Sequence, residues 1–125
     1  MNSTTTLTLG RIMNDLNVQG VLMSPASNVE KYLADHTDIE LLIIDVCKRI
    51  RETFEPTSEL ALAVYEDPEI EDRYLTLYVR QATYDRDIIE RIEAVCGEFQ
   101  RQLETASGYL LVTTDFRRPG SDHVV

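Results

Sequence analysis

Between Glu59 and Arg80, two runs in which large aliphatic residues alternate with smaller, aromatic or polar ones flank a short acidic connection, and this pattern predicts two β-strands. Every second position of both runs is aliphatic, which places these side chains on one face of the hairpin: Leu60, Leu62, Val64, Leu75, Leu77 and Val79. The other face carries mainly alanine, threonine and tyrosine. We therefore expect an antiparallel hairpin that buries its aliphatic face.

Two helices are predicted before the hairpin. The pattern Ser27–Glu30 matches a capping box and starts a short helix that runs to about Ala34. A second capping box at Thr37–Glu40 starts a longer helix, in which apolar residues recur at three- and four-residue steps until Pro56 stops it. The longer helix therefore has one apolar face to bury.

The cleanest helical pattern follows the hairpin. Asp85 is the expected N-cap, the apolar stripe runs to Leu103, and Gly97 lies inside it. Alternation from Tyr109 to Phe116 then predicts a last strand. The secure order of elements is thus helix, strand, strand, helix, strand.

These elements predict an α+β domain over residues 27–118, a two-layer sandwich in which an antiparallel or mixed sheet carries two helices on one face. We expect residues 119–125 to form a C-terminal tail and residues 1–26 a partly ordered N-terminal extension. Three forms of the extension stay open: a flexible tail, a docked tail or a short strand at Gln19–Met23. With that strand the order becomes βαββαβ, the ferredoxin-like arrangement.

Charge narrows the classes of partner. The chain has 22 acidic and 12 basic residues, which give a formal charge of −10. Such a charge repels phosphate backbones, so we expect no direct contact with nucleic acid. A basic protein partner or a cation suits the chain better, and charge that serves solubility alone is the alternative.

The cysteines and the apolar runs indicate the compartment. Cys47 and Cys96 fall on apolar helical positions, which is typical of buried, reduced thiols, although a disulfide between them stays open. The longest apolar run, Leu41–Ile44, is far too short to cross a membrane, and the N-terminus lacks a signal-peptide pattern. We therefore expect a cytoplasmic protein that does not contact a membrane.

The acidic connection Glu66–Asp72 carries five carboxylates in seven residues. It lacks the glycine and the spacing of an EF-hand, so we assign no metal site to it, and calcium binding stays an alternative. A solvated turn that deters edge-to-edge aggregation is the other alternative. With nearby tyrosines the connection forms a candidate partner-binding surface: Tyr65, Glu66, Asp67, Glu69, Glu71, Asp72, Tyr74 and Tyr78.

A second group of side chains lies near the ends of two predicted strands. Arg80, Asp115 and Arg117 form a candidate anion-binding site, because guanidinium groups bind carboxylates and other anions in a bidentate way. The alternative is a cross-strand ion pair that helps to fix the strand register.

Catalytic motifs are absent from the sequence. It contains no P-loop, GxGxxG, HExxH or GxSxG pattern, and neither His36 nor His123 has a nucleophile at a diagnostic spacing. We therefore predict no catalytic residue and no cofactor.

Two segments carry a resemblance. The hairpin Glu59–Arg80, with its Asp67-Pro68-Glu69 turn, and the later Thr113-Thr114-Asp115-Phe116-Arg117 resemble a group of short hypothetical proteins from cyanobacteria and other bacteria. The likeness covers about residues 28–118. No activity is established for that group, so the resemblance implies a common hairpin and strand end and assigns no role to any residue.

These observations favour a non-enzymatic, acidic protein–protein interaction or regulatory module of the bacterial cytoplasm. It would act as a homodimer or as the acidic member of a two-protein pair that resembles an antitoxin. The alternative is a domain that binds a small ligand or a divalent metal, including a minor enzyme.

Overall fold

The computed structural model describes residues 3–23, 25–67, 69 and 72–120. Five helices and four strands lie in this part of the chain. In chain order they are α1 (Ser3–Val18), β1 (Val21–Met23), α2 (Ala26–Asp35), α3 (Thr37–Thr53), β2 (Glu59–Asp67), β3 (Asp72–Arg80), α4 (Ile88–Glu98), α5 (Gln100–Thr105) and β4 (Leu110–Thr113).

The four strands form one mixed sheet in the order β1-β2-β3-β4. β1 pairs with β2 and β3 pairs with β4 in parallel, whereas β2 and β3 are antiparallel. The α+β class is therefore confirmed. From β1 onwards the elements follow the βαββαβ order, with two helices in each crossover, but the parallel strands of each unit are direct neighbours, whereas a split βαβ unit has a further strand between them.

The predicted hairpin register is confirmed. Leu60 lies opposite Val79, Leu62 opposite Leu77, and Val64 opposite Leu75, so all six aliphatic side chains share one face. Five of them are fully buried in the core with residues from the helices, while Val64 is half-buried. One face of the sheet therefore carries the whole helical layer.

The hairpin is longer than its neighbours. β2 and β3 each have nine residues, but β1 pairs with residues 60–62 of β2 alone and β4 with residues 75–78 of β3 alone. The distal part of the hairpin therefore extends beyond the flanking strands as a two-stranded ribbon.

Part of the N-terminal segment, for which the sequence left three forms open, contributes to the core. Ile12 and Leu16 of α1 are buried against the other helices, and Val21 of β1 pairs with Leu60 of β2. The strand that was one of three alternatives for Gln19–Met23 is therefore present at Val21–Met23. The guanidinium of Arg51 in α3 donates to the Gln19 carbonyl at 3.2 Å and fixes the turn before β1.

The helix boundaries differ from the predicted ones. α2 begins at Ala26 after Pro25, and α3 begins directly after His36, so neither capping box forms a side-chain cap. A single residue separates α2 from α3, which places Thr37 inside the helix and frees Asp38 for a contact elsewhere.

The last helix and the last strand are also shorter than predicted. Asp87 replaces Asp85 at the N-cap position of α4, and the predicted single helix is interrupted at Phe99, whose N–H donates to the Cys96 carbonyl in a tighter three-residue step. β4 ends at Thr113 because the chain turns away near Phe116, which has a φ of 57°.

Candidate functional site

Within the described residues, one face of the sheet carries no helix. Strand alternation places small and apolar side chains there, and they do not belong to the core cluster; we call this set the open face: Leu22, Ala61, Ala63, Thr76 and Leu111. A cavity of about 220 Å³ lies on it beside Tyr78. Elsewhere on the open face, the Thr76 hydroxyl is buried with no hydrogen-bond partner in the described part of the chain. Ala61 and Thr76 are buried, whereas Leu22, Ala63 and Leu111 are half-buried, so only part of this sheet surface is exposed.

Three tyrosines from neighbouring strands lie together at the hairpin end of the open face. The rings of Tyr65 and Tyr74 stack at 4.9 Å, and Tyr109 meets Tyr74 edge-on at 5.4 Å. Tyr65 is 47% exposed and Tyr109 55% exposed. We call Tyr65, Tyr74 and Tyr109 the tyrosine cluster; it offers aromatic surface and ring edges to a partner.

The cluster differs in one tyrosine from the predicted partner-binding surface, which included Tyr78 and not Tyr109. Tyr78 lies at the far end of the sheet, where its ring is 5.6 Å from the guanidinium carbon of Arg80. Tyr109 was not predicted as a site residue, because its place beside Tyr74 depends on the pairing of Leu75 with Leu110. Alternation within the predicted last strand assigns Tyr109 to one face of the sheet. It does not say which residue of the neighbouring strand lies beside it, because no local pattern sets the register of a parallel strand that follows a helix.

The acidic connection joins the tyrosine cluster at the same end of the sheet. Glu66 pairs with Arg73 at 3.2 Å, and both Glu66 and Glu69 are exposed. Glu71 and the side chains of Asp67 and Asp72 lie outside the described residues. Within the described part of the chain, no group of three or more His, Cys, Asp and Glu is arranged to hold a metal ion.

The predicted Arg80 group does come together, and it gains a member. Arg80 is 2% exposed. Its guanidinium donates to both carboxylate oxygens of Asp115 at 3.1 and 2.9 Å and to Glu59 at 2.8 Å. Arg117 contributes its backbone N–H to Asp115 at 3.2 Å, and the Gly120 N–H donates to Glu59 at 2.8 Å. This geometry supports an ion-pair network that ties the segment after β4 to the hairpin; anion binding stays a prediction.

Charge and hydrogen bonding set the pKa of Asp115. Burial by itself raises this pKa, but the hydrogen bonds from Arg80 and from the Arg117 N–H, together with the charge of Arg80, outweigh it and hold the pKa below its ordinary value. The carboxylate is therefore ionised in the folded protein at neutral pH.

A serine, a histidine and an aspartate meet where α2 joins α3. Asp38 accepts hydrogen bonds from the backbone N–H and the hydroxyl of Ser107 at 2.7 and 2.9 Å, and the hydroxyl lies 3.1 Å from Nδ1 of His36. In a catalytic triad the histidine lies between serine and carboxylate. Here Ser107 lies between His36 and Asp38, so the group does not have the order of a catalytic triad. Its hydrogen bonds hold the loop before β4 against α3.

A buried glutamine joins the other end of the helical layer to the sheet. Gln81, directly after β3, donates to Glu55 at 3.1 and 3.2 Å and to Asp85 at 2.9 Å, and its oxygen accepts from the Asp85 N–H. Arg91 joins the group through an ion pair with Asp85 at 2.5 Å, and its guanidinium also donates to the Thr53 carbonyl at 2.6 Å. Sequence reasoning missed this group because Glu55, at the end of α3, and Gln81, after β3, are 26 positions apart and no local pattern predicts their contact.

The two cysteines are separate free thiols. Burial raises the pKa of Cys47 to about 12 and also raises the pKa of Cys96 above its ordinary value. Both are therefore weak nucleophiles. Cys47 is buried, as predicted, whereas Cys96 is only half-buried.

Acid is expected to destabilise the fold through two carboxylates. Hydrogen bonds from Ser107 lower the pKa of Asp38 below 3.8, and the Arg80 network does the same for Asp115. Their stabilising contributions are complete above the unfolded-state pKa and are lost as pH falls through the folded-state values. Glu40, whose pKa is raised by burial, acts in the opposite direction.

The check is the free energy of unfolding in urea, measured from neutral pH down to about pH 3. We expect it to fall below about pH 4, and to fall less steeply in Asp38→Asn and in Asp115→Asn. The same acid dependence in both variants and in the original chain would contradict the assignment.

Within the described residues, no helix is long and apolar enough to cross a membrane. No protein-family model, no curated protein and no solved structure matches this chain. The resemblance to short bacterial proteins therefore stays a prediction, and the function has to be argued from the surface itself.

Proposed function

We propose that this chain is a non-enzymatic protein–protein interaction module of the bacterial cytoplasm, which binds a basic partner at the tyrosine cluster and the acidic connection. The exposed aromatic cluster on the sheet face opposite the helices is the observation that carries the proposal. Its rings bury area at low entropic cost, and Tyr is enriched in protein interfaces.

Charge defines the kind of partner. A Lys or Arg side chain stacked on a tyrosine ring gains about 0.5–2 kcal/mol, and carboxylates beside the ring add to the attraction. Glu66, which follows Tyr65 in β2, and Glu69 of the acidic connection are both exposed, and the formal charge of −10 steers a cationic protein toward the chain. A second copy with the same charge is repelled, so we favour a different, basic protein over the homodimer.

The test compares two lysine substitutions at exposed apolar positions. Tyr65→Lys places a positive charge in the tyrosine cluster, and Leu41→Lys places the same charge on α3, where Leu41 is 69% exposed on the helical side. Tagged protein is passed through bacterial lysate at low and high salt. We expect a discrete basic protein to be retained at low salt, and retention to fall about tenfold in Tyr65→Lys alone.

Two results would count against the proposal. One is recovery of the protein alone and monomeric at low salt. The other is equal loss of the partner in Tyr65→Lys and Leu41→Lys, which would indicate a non-specific effect of charge. Self-association that Tyr65→Lys abolishes would replace the basic partner by a second copy.

A further inference from the structure

A groove of about 600 Å³ runs between β4 and the helices α4 and α5. It lies at the side of the sheet, and apart from Tyr109, which borders both surfaces, it shares no residue with the tyrosine cluster. Its walls are largely apolar and include Cys96, Leu103, Ala106, Leu110 and Val112. We call it the edge groove.

The edge groove contains an unpaired strand edge. β4 is the last strand in the sheet order, and no described strand pairs with its outer side. The Tyr109 carbonyl accepts the Leu75 N–H at 2.9 Å and therefore points toward β3. Because backbone groups alternate between the two sides of a strand, the N–H and C=O groups of Leu110 and Val112 point outward. They are the groups to which an added strand would bond.

The helix beside this edge leaves room for an added chain. Gly97 of α4 lines the groove, and a Cβ placed there would have no atom within 4 Å. The glycine thus opens the groove at the point where a longer side chain of α4 would fill it.

Charge separates the candidate occupants. Glu93 and Glu104 line the groove, and Glu104 also accepts a hydrogen bond from Gln100 at 3.0 Å. A cationic side chain complements these carboxylates. A second copy paired through its own β4 would bring the same two glutamates against them, and such like-charge contacts oppose association.

We propose that the edge groove binds an extended segment of another protein, which adds to the outer side of β4 as a further strand of the sheet. The segment alternates apolar residues, which enter the groove, with exposed ones, and carries a Lys or Arg that reaches Glu93 or Glu104. Strand addition of this kind gains main-chain hydrogen bonds from the edge and selectivity from pockets for alternate side chains. The inference goes beyond the proposed function, since it names a separate surface and does not depend on the tyrosine cluster.

The test uses a phage-displayed library of short random peptides, selected on the full chain. We expect the enriched peptides to share alternating apolar residues and at least one Lys or Arg. Gly97→Leu fills the groove and is expected to weaken their binding at least about tenfold, measured by fluorescence polarisation. Gly97→Ala, which adds a single methyl group to the same helix position, is the matched control and retains binding. Glu93→Lys is expected to weaken the binding of the cationic peptides by charge repulsion, without filling the groove.

Amide hydrogen exchange provides the structural readout. Bound peptide is expected to slow exchange at Leu110 and Val112, whose N–H groups become hydrogen-bonded to the added strand. The proposal is overturned if no peptide is enriched, if Gly97→Leu binds the peptides as well as the original chain, or if exchange at these two amides is unchanged. If the original chain is a dimer and Gly97→Leu is a monomer, the groove binds a second copy of the chain, and the proposal of a cationic segment from another protein is overturned.

The two surfaces are tested separately by exchanging the variants. Tyr65→Lys is expected to leave the affinity of the selected peptides unchanged, because Tyr65 does not line the edge groove. Failure of the lysate experiment would therefore count against the tyrosine cluster and not against the edge groove. Failure of the peptide experiment would count against the edge groove alone.

Discussion

Substitution of Arg80 by methionine is expected to lower the free energy of unfolding by about 3 kcal/mol. The Arg80 side chain is 3% exposed, and its two carboxylate partners, Glu59 and Asp115, are 12% and 23% exposed. Without the guanidinium, both carboxylates stay in a poorly hydrated site with no positive charge between them. Removing one partner of a buried ion pair is costly for this reason, even where the intact pair contributes little.

A second arginine supplies the control. Arg49 on α3 also contacts two carboxylates, Glu52 and Glu98, but its side chain is 41% exposed, so Arg49→Met is expected to cost less than about 1 kcal/mol. Urea unfolding of both variants at neutral pH measures the difference. Adding Glu59→Gln to Arg80→Met removes one stranded charge and should restore part of the loss. Equal costs for the two arginine substitutions would show that burial does not govern the network.

Gly108→Ala is expected to cost about 2–3 kcal/mol through overpacking. A Cβ at Gly108 would lie 2.7 Å from Cδ1 of Ile39, 2.7 Å from the Tyr32 hydroxyl and 2.9 Å from Cγ of His36. Ile39 is a fully buried core residue and cannot move freely. The Tyr32 hydroxyl accepts the Tyr109 N–H at 2.8 Å and donates to the Tyr109 carbonyl at 3.3 Å, so a shift of Tyr32 weakens the hold on the start of β4.

The matched substitution is again a glycine to alanine change. Gly97 lies in α4, where an added methyl group would have no atom within 4 Å, and alanine is the better helix former by about 0.5–1 kcal/mol. Gly97→Ala is therefore expected to raise the melting temperature while Gly108→Ala lowers it. Thermal unfolding followed by circular dichroism measures both, and a shift of the same sign in the two variants would refute the contact argument.

Local periodicity was sufficient for the hairpin and most of the helices. A strand period of two residues fixes which side chains share a face, and a short connection leaves one register for Leu60 and Val79. α1 was harder, because its first half is rich in threonine and its buried positions, Ile12 and Leu16, form a short stripe. The helix is stabilised mainly by the packing of those two residues against partners that lie far along the chain, so the local sequence predicts it poorly.

For the candidate sites too, contacts between residues close in the predicted pattern could be predicted, and contacts that depend on the tertiary fold could not. Arg80 and Asp115 were grouped correctly, since both fall at strand ends with opposite charge. Glu59 was not added to that group, although its place opposite Arg80 follows from the hairpin register. The contact of Asp38 with Ser107 joins residues 69 positions apart and has no local pattern that predicts it.

The overhang of the hairpin has an entropic consequence. At Tyr65 and Glu66, and opposite them at Arg73 and Tyr74, the ribbon has no flanking strand, and two-stranded ribbons alone are marginally stable in water. The Tyr65–Tyr74 stack and the Arg73–Glu66 pair therefore order a segment that the core does not reach. A partner that bound this segment, as proposed, would use part of its binding free energy to order it. Affinity at this end then depends on how well ordered the ribbon is before the encounter, as well as on the contacts made afterwards.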